Sequence, residues 1–255
     1  MKIQLHSDFK HLEPEILRIV SGDYTAEKVF CNKRNIVEKV IIRGKPYVMK
    51  KFKRPTLINC FIYTFFRKTK AQRAYEYAFM LLEKGIKTPL PIAYVEVKKN
   101  KLFHTGYLFT EYLDYPTLSQ IAVEEFSQQE LAKLGESFVS FTIGLQEKHI
   151  LPLDYNPGNI FFFRNAKNDG YDFALTDINR MRFGWVPLTR STMRSFEQFG
   201  VSSEHIYNFL LRYSKERNVD IDYCMYEFLS FRIRKKIKRY IKTKLKEKIK
   251  QRQAR

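Results

Sequence analysis

Between residues 154 and 177 the chain switches abruptly between turn-forming polar residues and aromatic runs, which restricts this stretch to a loop, a hairpin and a second loop. Asp154-Tyr155-Asn156-Pro157-Gly158-Asn159 is built from the residue types that favour tight turns. Ile160-Phe161-Phe162-Phe163 and Phe173-Ala174-Leu175 read as two strands joined by the polar segment Arg164 to Gly170, and Thr176-Asp177 follows directly. The apolar runs bracket the polar groups and are expected to hold Asp154, Asn159 and Asp177 rigidly.

Alone, each piece has an ordinary reading: the hexapeptide is a turn, and Asp177 caps another turn after a strand. Together, an Asp, an Asn five residues on and a second Asp behind an apolar run suit the passage of a phosphoryl group from ATP to a hydroxyl. That reaction needs little covalent help. It needs the hydroxyl aimed at the γ-phosphorus and the phosphate charge neutralised by held magnesium ions. Asp154 is of the type that orients and deprotonates the hydroxyl, and Asn159 and Asp177 are of the type that hold the metal.

The 255 residues suffice for one large domain or two lobes, and 44 % apolar with 15 % aromatic residues argues for a folded chain. A formal net charge of +19 suggests an anionic partner: nucleotide, nucleic acid or an acidic membrane surface. Cys31, Cys60 and Cys224 are far apart, which argues against a structural zinc site or a disulfide scaffold and is compatible with a reducing cytosol. Met1 to Asp8 lacks an apolar stretch, so no secretion signal is expected. The longest apolar run, Leu57 to Phe66, is too short to cross a membrane, which takes about 20 residues.

The N-terminal part predicts five strands with one long helix after the third. The strands are Val29 to Cys31, Ile36 to Ile42, Tyr47 to Lys50, Ile92 to Val97 and Gly106 to Leu113. The helix is placed at 68–84, with Ala71, Ala74, Tyr75, Ala78, Leu81 and Leu82 at helical spacing and Gly85 as its stop. From Thr117 the pattern turns helical, with an amphipathic helix over Gln128 to Lys148 and more helix over 191–231. The expected organisation is an N-terminal lobe at 1–112, a C-terminal lobe at 113–231 and a basic tail at 232–255. That tail carries thirteen Lys or Arg against one Glu, and Ile233, Ile237, Ile241, Leu245 and Ile249 recur every four residues. An apolar stripe on a basic helix fits a membrane-surface or partner helix, or a solvated helix partly packed on the last lobe.

Strand alternation puts Val48 and Lys50 on one face, so that Val48 can cover an adenine while Lys50 reaches the α- and β-phosphates. Glu76, 26 residues on and in mid-helix, is expected to pair with Lys50 and fix its ammonium. The bland alternative makes Lys50 one of several surface lysines and Glu76 an exposed helix residue. Backbone groups of Thr110-Glu111-Tyr112-Leu113, at the end of the fifth strand, are candidates for reading the adenine edge, with Glu111 and Leu113 named for that role. His149 is read as structural, since Asp154 fills the role of base.

With these residues in place, the chain resembles the lipopolysaccharide core kinases, kinase-fold enzymes that phosphorylate Kdo or heptose. The resemblance covers roughly residues 25–215. It rests on Val48-Met49-Lys50-Lys51-Phe52, Arg73-Ala74-Tyr75-Glu76, Gly85 to Pro91, Asp154 to Asn159 and Thr176-Asp177-Ile178-Asn179-Arg180. It implies an α+β, bilobal protein-kinase-like fold, with a five-stranded antiparallel N-lobe carrying one main helix and a mostly helical C-lobe. It also implies ATP and Mg2+ as cofactors, Lys50 on phosphate supported by Glu76, Asp154 as base, and Asn159 and Asp177 as metal ligands. The sequence departs from protein kinases at Pro152-Leu153, where His-Arg is usual, at Asn156, and at Ile178-Asn179 in place of Phe-Gly. No glycine-rich phosphate loop is visible. The first turn reads Cys31-Asn32-Lys33-Arg34-Asn35, with Lys33 and Arg34 either solvated or on phosphate.

An acidic sugar on a lipid anchor calls for basic acceptor residues, and Arg180 and Arg182 are the candidates to fork onto a carboxylate or phosphate. The expected partners are a lipid-linked saccharide acceptor and, through the basic tail, an anionic membrane surface. Nucleic acid is not expected. The expected location is cytoplasmic, peripheral on the inner face of the inner membrane. The apolar helix within 50–73 is read as packed on its lobe in preference to a headgroup-level anchor. The competing functions are an atypical Ser/Thr or small-molecule kinase of the same fold and a non-catalytic binding protein.

Overall fold

The computed structural model describes residues 1–121, 125–167, 169–186, 190–197, 199 and 203–253, with backbone alone at 203 and 248–253. The chain divides into two compact units, Met1–Pro116 with Ala174–Met181, and Thr117–Phe173 with Arg182–Arg255.

The first unit is built on a six-stranded antiparallel sheet. In chain order the strands are β1 (Lys2–Leu5), β2 (Lys28–Asn32), β3 (Ile36–Ile42), β4 (Lys45–Lys51), β5 (Pro91–Lys99) and β6 (Leu102–Glu111), and their order in space is β1-β5-β6-β4-β3-β2. The five strands expected from sequence are present. The sixth, β1, adds an edge strand by pairing Leu5 with Ala93 and Lys2 with Glu96. With four residues it has too few alternations to stand out from the sequence.

One main helix was expected in this unit, and three are found: α1 (Glu13–Ser21), α2 (Leu57–Phe65) and α3 (Lys70–Glu83). Leu12, Ile16 and Ile19 around α1 pack against Val40, Tyr47, Met49, Val95, Tyr107 and Phe109, sealing one face of the sheet. Alternation sends Val48 and Lys50 to the other face. There α3 lays its small-residue side on β5 and β6. A Cβ at Gly106 would stand 3.1 Å from the Ala71 Cβ, so a larger residue there would push α3 away by a few tenths of an ångström. Thr69 caps α3 by accepting from the Gln72 N–H at 3.1 Å and donates to buried Glu96 at 2.6 Å.

The second unit holds α4 (Gln128–Glu147), β7 (Ile150–Pro152), β8 (Ile160–Arg164), β9 (Tyr171–Leu175), β10 (Met181–Phe183), α5 (Arg190–Phe196), α6 (Ser203–Arg217) and α7 (Ile221–Gln253); the ends of β9 and β10 belong to the first unit. β8 and β9 form the expected hairpin. An aromatic cluster fills the core, with Phe138 from α4 packed on Phe173, Phe199 and Phe209, and Phe196 on Tyr213.

The basic tail is not a separate segment. α7 runs 33 residues without a break, about 50 Å, through the expected boundary at 232. Cys224 and Phe228 are buried at its start, whereas Ile233, Ile237, Ile241 and Leu245 are exposed. Lys235 pairs with Glu197 beside α5, and Lys244 with Glu247 along the helix at 3.1 Å. The Ile249 side chain and residues 254–255 lie outside the described residues. Among the described residues no helix is long and apolar enough to cross a membrane.

Candidate active site

In the first unit, the segment after the hairpin is fastened to the loop that follows α3. The Leu175 N–H donates to the Lys87 carbonyl at 3.0 Å, and the Thr88 hydroxyl donates to the Leu175 carbonyl at 2.7 Å. Two residues later Asp177 takes φ +52°, a left-handed backbone that Asp tolerates better than most residues, and the Asn179 amide donates to its carboxylate. Asp177 Oδ1 lies 2.6 Å from Lys50 Nζ; the two side chains are 28 % and 14 % exposed. The ammonium also sits 5.4 Å from the Phe52 ring centre.

The pairing expected between Glu76 and Lys50 is not formed. Glu76 accepts from Lys68 at 2.8 Å and from Gln72 at 3.0 Å. The cause is helical phase. Ala71, Ala74, Tyr75 and Ala78 occupy the buried side of α3, which leaves Glu76 half-buried beside Gln72, one turn earlier. The counter-charge of Lys50 is therefore Asp177, a partner 127 residues away in sequence that periodicity could not identify.

Positive charge gathers around the same carboxylate. Burial, then the charges of Arg34, Arg180 and Arg73, hold the Lys70 ammonium below its ordinary pKa, and Asp177 works in the opposite direction. The Arg73 Nε is buried with no hydrogen-bond partner among the described residues. Arg34, in the turn between β2 and β3 where a glycine-rich loop is missing, is exposed, as is Lys33. Sequence reading missed Lys70 and Arg73; their spacing on one helix with no acidic residue in its first turn was the available signal. Such a group of cations favours an anion.

Val48 sits on β4 opposite Thr110 of β6, and the Glu111 N–H donates to the Leu90 carbonyl at 3.0 Å. Glu111 ends β6 and Leu113 follows, both half-buried. Next to them the Tyr112 ring lies under Lys39 at 4.5 Å.

In the second unit, Asp154 and Asn159 lie on one loop. Its backbone is closed by Asn156 N–H to the Asp154 carbonyl at 2.9 Å and Asn159 N–H to the Asn156 carbonyl at 2.8 Å. The Asn156 side chain accepts from the Gly158 N–H at 2.9 Å, and Pro157–Asn159 completes a 3-10 turn. Tyr155 roots the loop in the core. It is fully buried, stacks on Phe138 with ring centres 5.6 Å apart, and its hydroxyl lies 2.9 Å from the Thr142 hydroxyl. Thr142 itself donates to the Phe138 carbonyl at 2.8 Å, so Tyr155 is the donor in that pair. Burial raises the Tyr155 pKa well above its ordinary value, so the phenol stays neutral. Thr142→Val would strand this hydroxyl and lower stability by about 1–3 kcal/mol, read as a reduced Tm. An unchanged Tm would mean that the loop is not rooted here.

Among the described residues no group of three or more His, Cys, Asp or Glu is placed to hold a metal. Asp177 in the first unit and Asn159 in the second each offer an oxygen donor of the hard kind that magnesium takes. Arg180 and Arg182 are both exposed, Arg180 in the first unit and Arg182 in the second.

No protein-family model and no curated protein matches the chain. A solved structure described as WaaP in complex with acyl carrier protein matches with a TM-score of 0.60 and 16 % identity, covering 93 % of this chain and 99 % of that one. The likeness establishes an α+β, kinase-like fold.

Proposed function

We propose that this chain is an ATP- and magnesium-dependent kinase that transfers the γ-phosphate to a sugar hydroxyl of the lipopolysaccharide inner core, with Kdo on lipid A as acceptor. The fold match supports a kinase of the lipopolysaccharide core kind. The observation that carries the reading is the Lys50–Asp177 pair at 2.6 Å. In it a cation suited to phosphate and a carboxylate suited to a metal neutralise each other, and both charges are available for exchange onto a metal–nucleotide complex.

In this reading Lys50 exchanges Asp177 for the nucleotide's phosphates, and Lys70 and Arg73 add positive charge beside it. Magnesium, when bound, supplies neutralisation of the phosphate oxygens. Asp177 and Asn159 hold it, and Asp154 orients the acceptor hydroxyl and takes its proton. Val48 covers the adenine, and the backbone at Glu111 and Leu113 reads its edge. Arg180 and Arg182 take the Kdo carboxylate. Glu76, committed to Lys68, has no part in holding Lys50. In this reading the enzyme works at the inner face of the inner membrane, which the basic half of α7 supports, each basic side chain near an anionic leaflet contributing about 1 kcal/mol.

Purified chain with labelled ATP should phosphorylate Kdo–lipid A, lose that activity when EDTA removes divalent metal, and regain it with added magnesium. Label appearing in protein substrates and not in glycolipid would replace the acceptor. No ATP turnover on any acceptor would end the phosphotransfer reading.

A further inference from the structure

α2 does not hide its apolar residues. Cys60 is buried, and Tyr63 and Thr64 face β6, where Thr64 accepts from the Phe103 N–H at 2.9 Å. The opposite side stands in solvent: Leu57, Phe61 and Phe65 recur every four residues, Ile58 is 75 % exposed, and Phe66 just beyond the helix is 77 % exposed. Phe61 contacts Phe65 and Phe66 with ring centres 4.9 and 5.8 Å apart, so the exposed rings form one patch. The helix is packed on its lobe as expected from sequence, but through one side only, and its other apolar side is left uncovered.

α2 contains no charged residue and is bounded by Lys51, Lys53 and Arg54 before it and Arg67, Lys68 and Lys70 after it, with no acidic residue between 51 and 70.

We propose that this helix docks on an anionic bilayer: the α2 aromatic patch enters the interface, and the basic residues that bound the helix meet phosphate-bearing lipid headgroups. A bilayer surface satisfies both features, since rings and apolar side chains favour the interfacial depth while Lys and Arg meet headgroup phosphates. A second copy of the chain is disfavoured as occupant, because each copy carries +19 and would bring basic residues onto basic residues. The surface belongs to the first unit and the α7 stripe to the second, and the proposal does not depend on the kinase reading.

The test places a reporter on the helix. The chain has one tryptophan, Trp185, in the second unit, so Phe65→Trp is made in a Trp185→Phe background of the full chain. On vesicles containing phosphatidylglycerol, the introduced indole should shift to the blue and be quenched by brominated acyl chains, with little change on pure phosphatidylcholine. Phe61→Ser with Phe65→Ser should weaken vesicle binding about tenfold or more at an unchanged circular dichroism spectrum. Lys53→Gln with Arg54→Gln should remove much of the preference for anionic lipid. Vesicle binding without quenching at position 65, or a serine variant that binds as wild type, would overturn the proposal. A blue shift caused by an acidic soluble protein and not by vesicles would also overturn it, marking a protein-docking face.

Discussion

Asp154→Asn should lower kcat for phosphorylation of Kdo–lipid A by about 10²–10⁴-fold, with KM for ATP little changed. The substitution keeps shape and removes the proton acceptor. The backbone closure of the loop and its anchor stay in place, since the Asp154 backbone carbonyl accepts from Asn156 and Tyr155 holds the segment in the aromatic core. Steady-state kinetics with a melting curve on the same preparation separate the two effects. A variant that keeps its kcat, or one that loses Tm and activity together, would remove Asp154 from the role of base.

The second large effect belongs to the ion pair. Without nucleotide, Lys50→Met leaves Asp177 with Asn179 as its other donor, and Asp177→Asn leaves a largely buried ammonium without its counter-charge. Each single change should cost about 1–3 kcal/mol of stability, and the double variant should cost less than the sum. With magnesium and a non-hydrolysable ATP analogue, wild type should gain Tm by ligand linkage. Lys50→Met should bind the analogue about 10–100-fold more weakly, the weight of a charged hydrogen bond. Asp177→Asn should need far more magnesium for the same gain. Strictly additive stabilities would show that the pair is incidental, and undiminished analogue binding by Lys50→Met would remove Lys50 from the phosphate site.

Much of the architecture was legible because it is written locally. The period-two runs around Ile36–Ile42 and Tyr47–Lys50 and the helical spacing of Ala71, Ala74 and Ala78 carry their own geometry. The Asp154–Asn159 turn announces itself through residues that bend the backbone. β1 was missed because four residues make a strand only by pairing with β5, about ninety positions away. α1 was missed too, although Pro14 sits in its first turn and Gly22 closes it in the left-handed region, both standard boundary signals.

Charge partners and exposed faces were the harder part. Helix phase locates Glu76 relative to the alanine face but does not rank Lys50 against Lys68, since that choice depends on distances across the fold. Periodicity marks α2 as apolar on two sides. Only one side finds cover on β6, and the other keeps its phenylalanines in solvent. α7 looked like lobe helix followed by tail because its composition changes at 232, yet its backbone hydrogen bonding continues regardless of side-chain charge.

The order of residues alone determined which chemical groups the chain brings to its loops and strands, because turn, strand and helix preferences act over a few positions. Tertiary structure alone decided that Lys50 meets Asp177, that Glu76 is spent on Lys68, and that α2 keeps an aromatic face uncovered. Coulomb attraction and apolar burial act through contact in space, and contact is set by the packed chain as a whole.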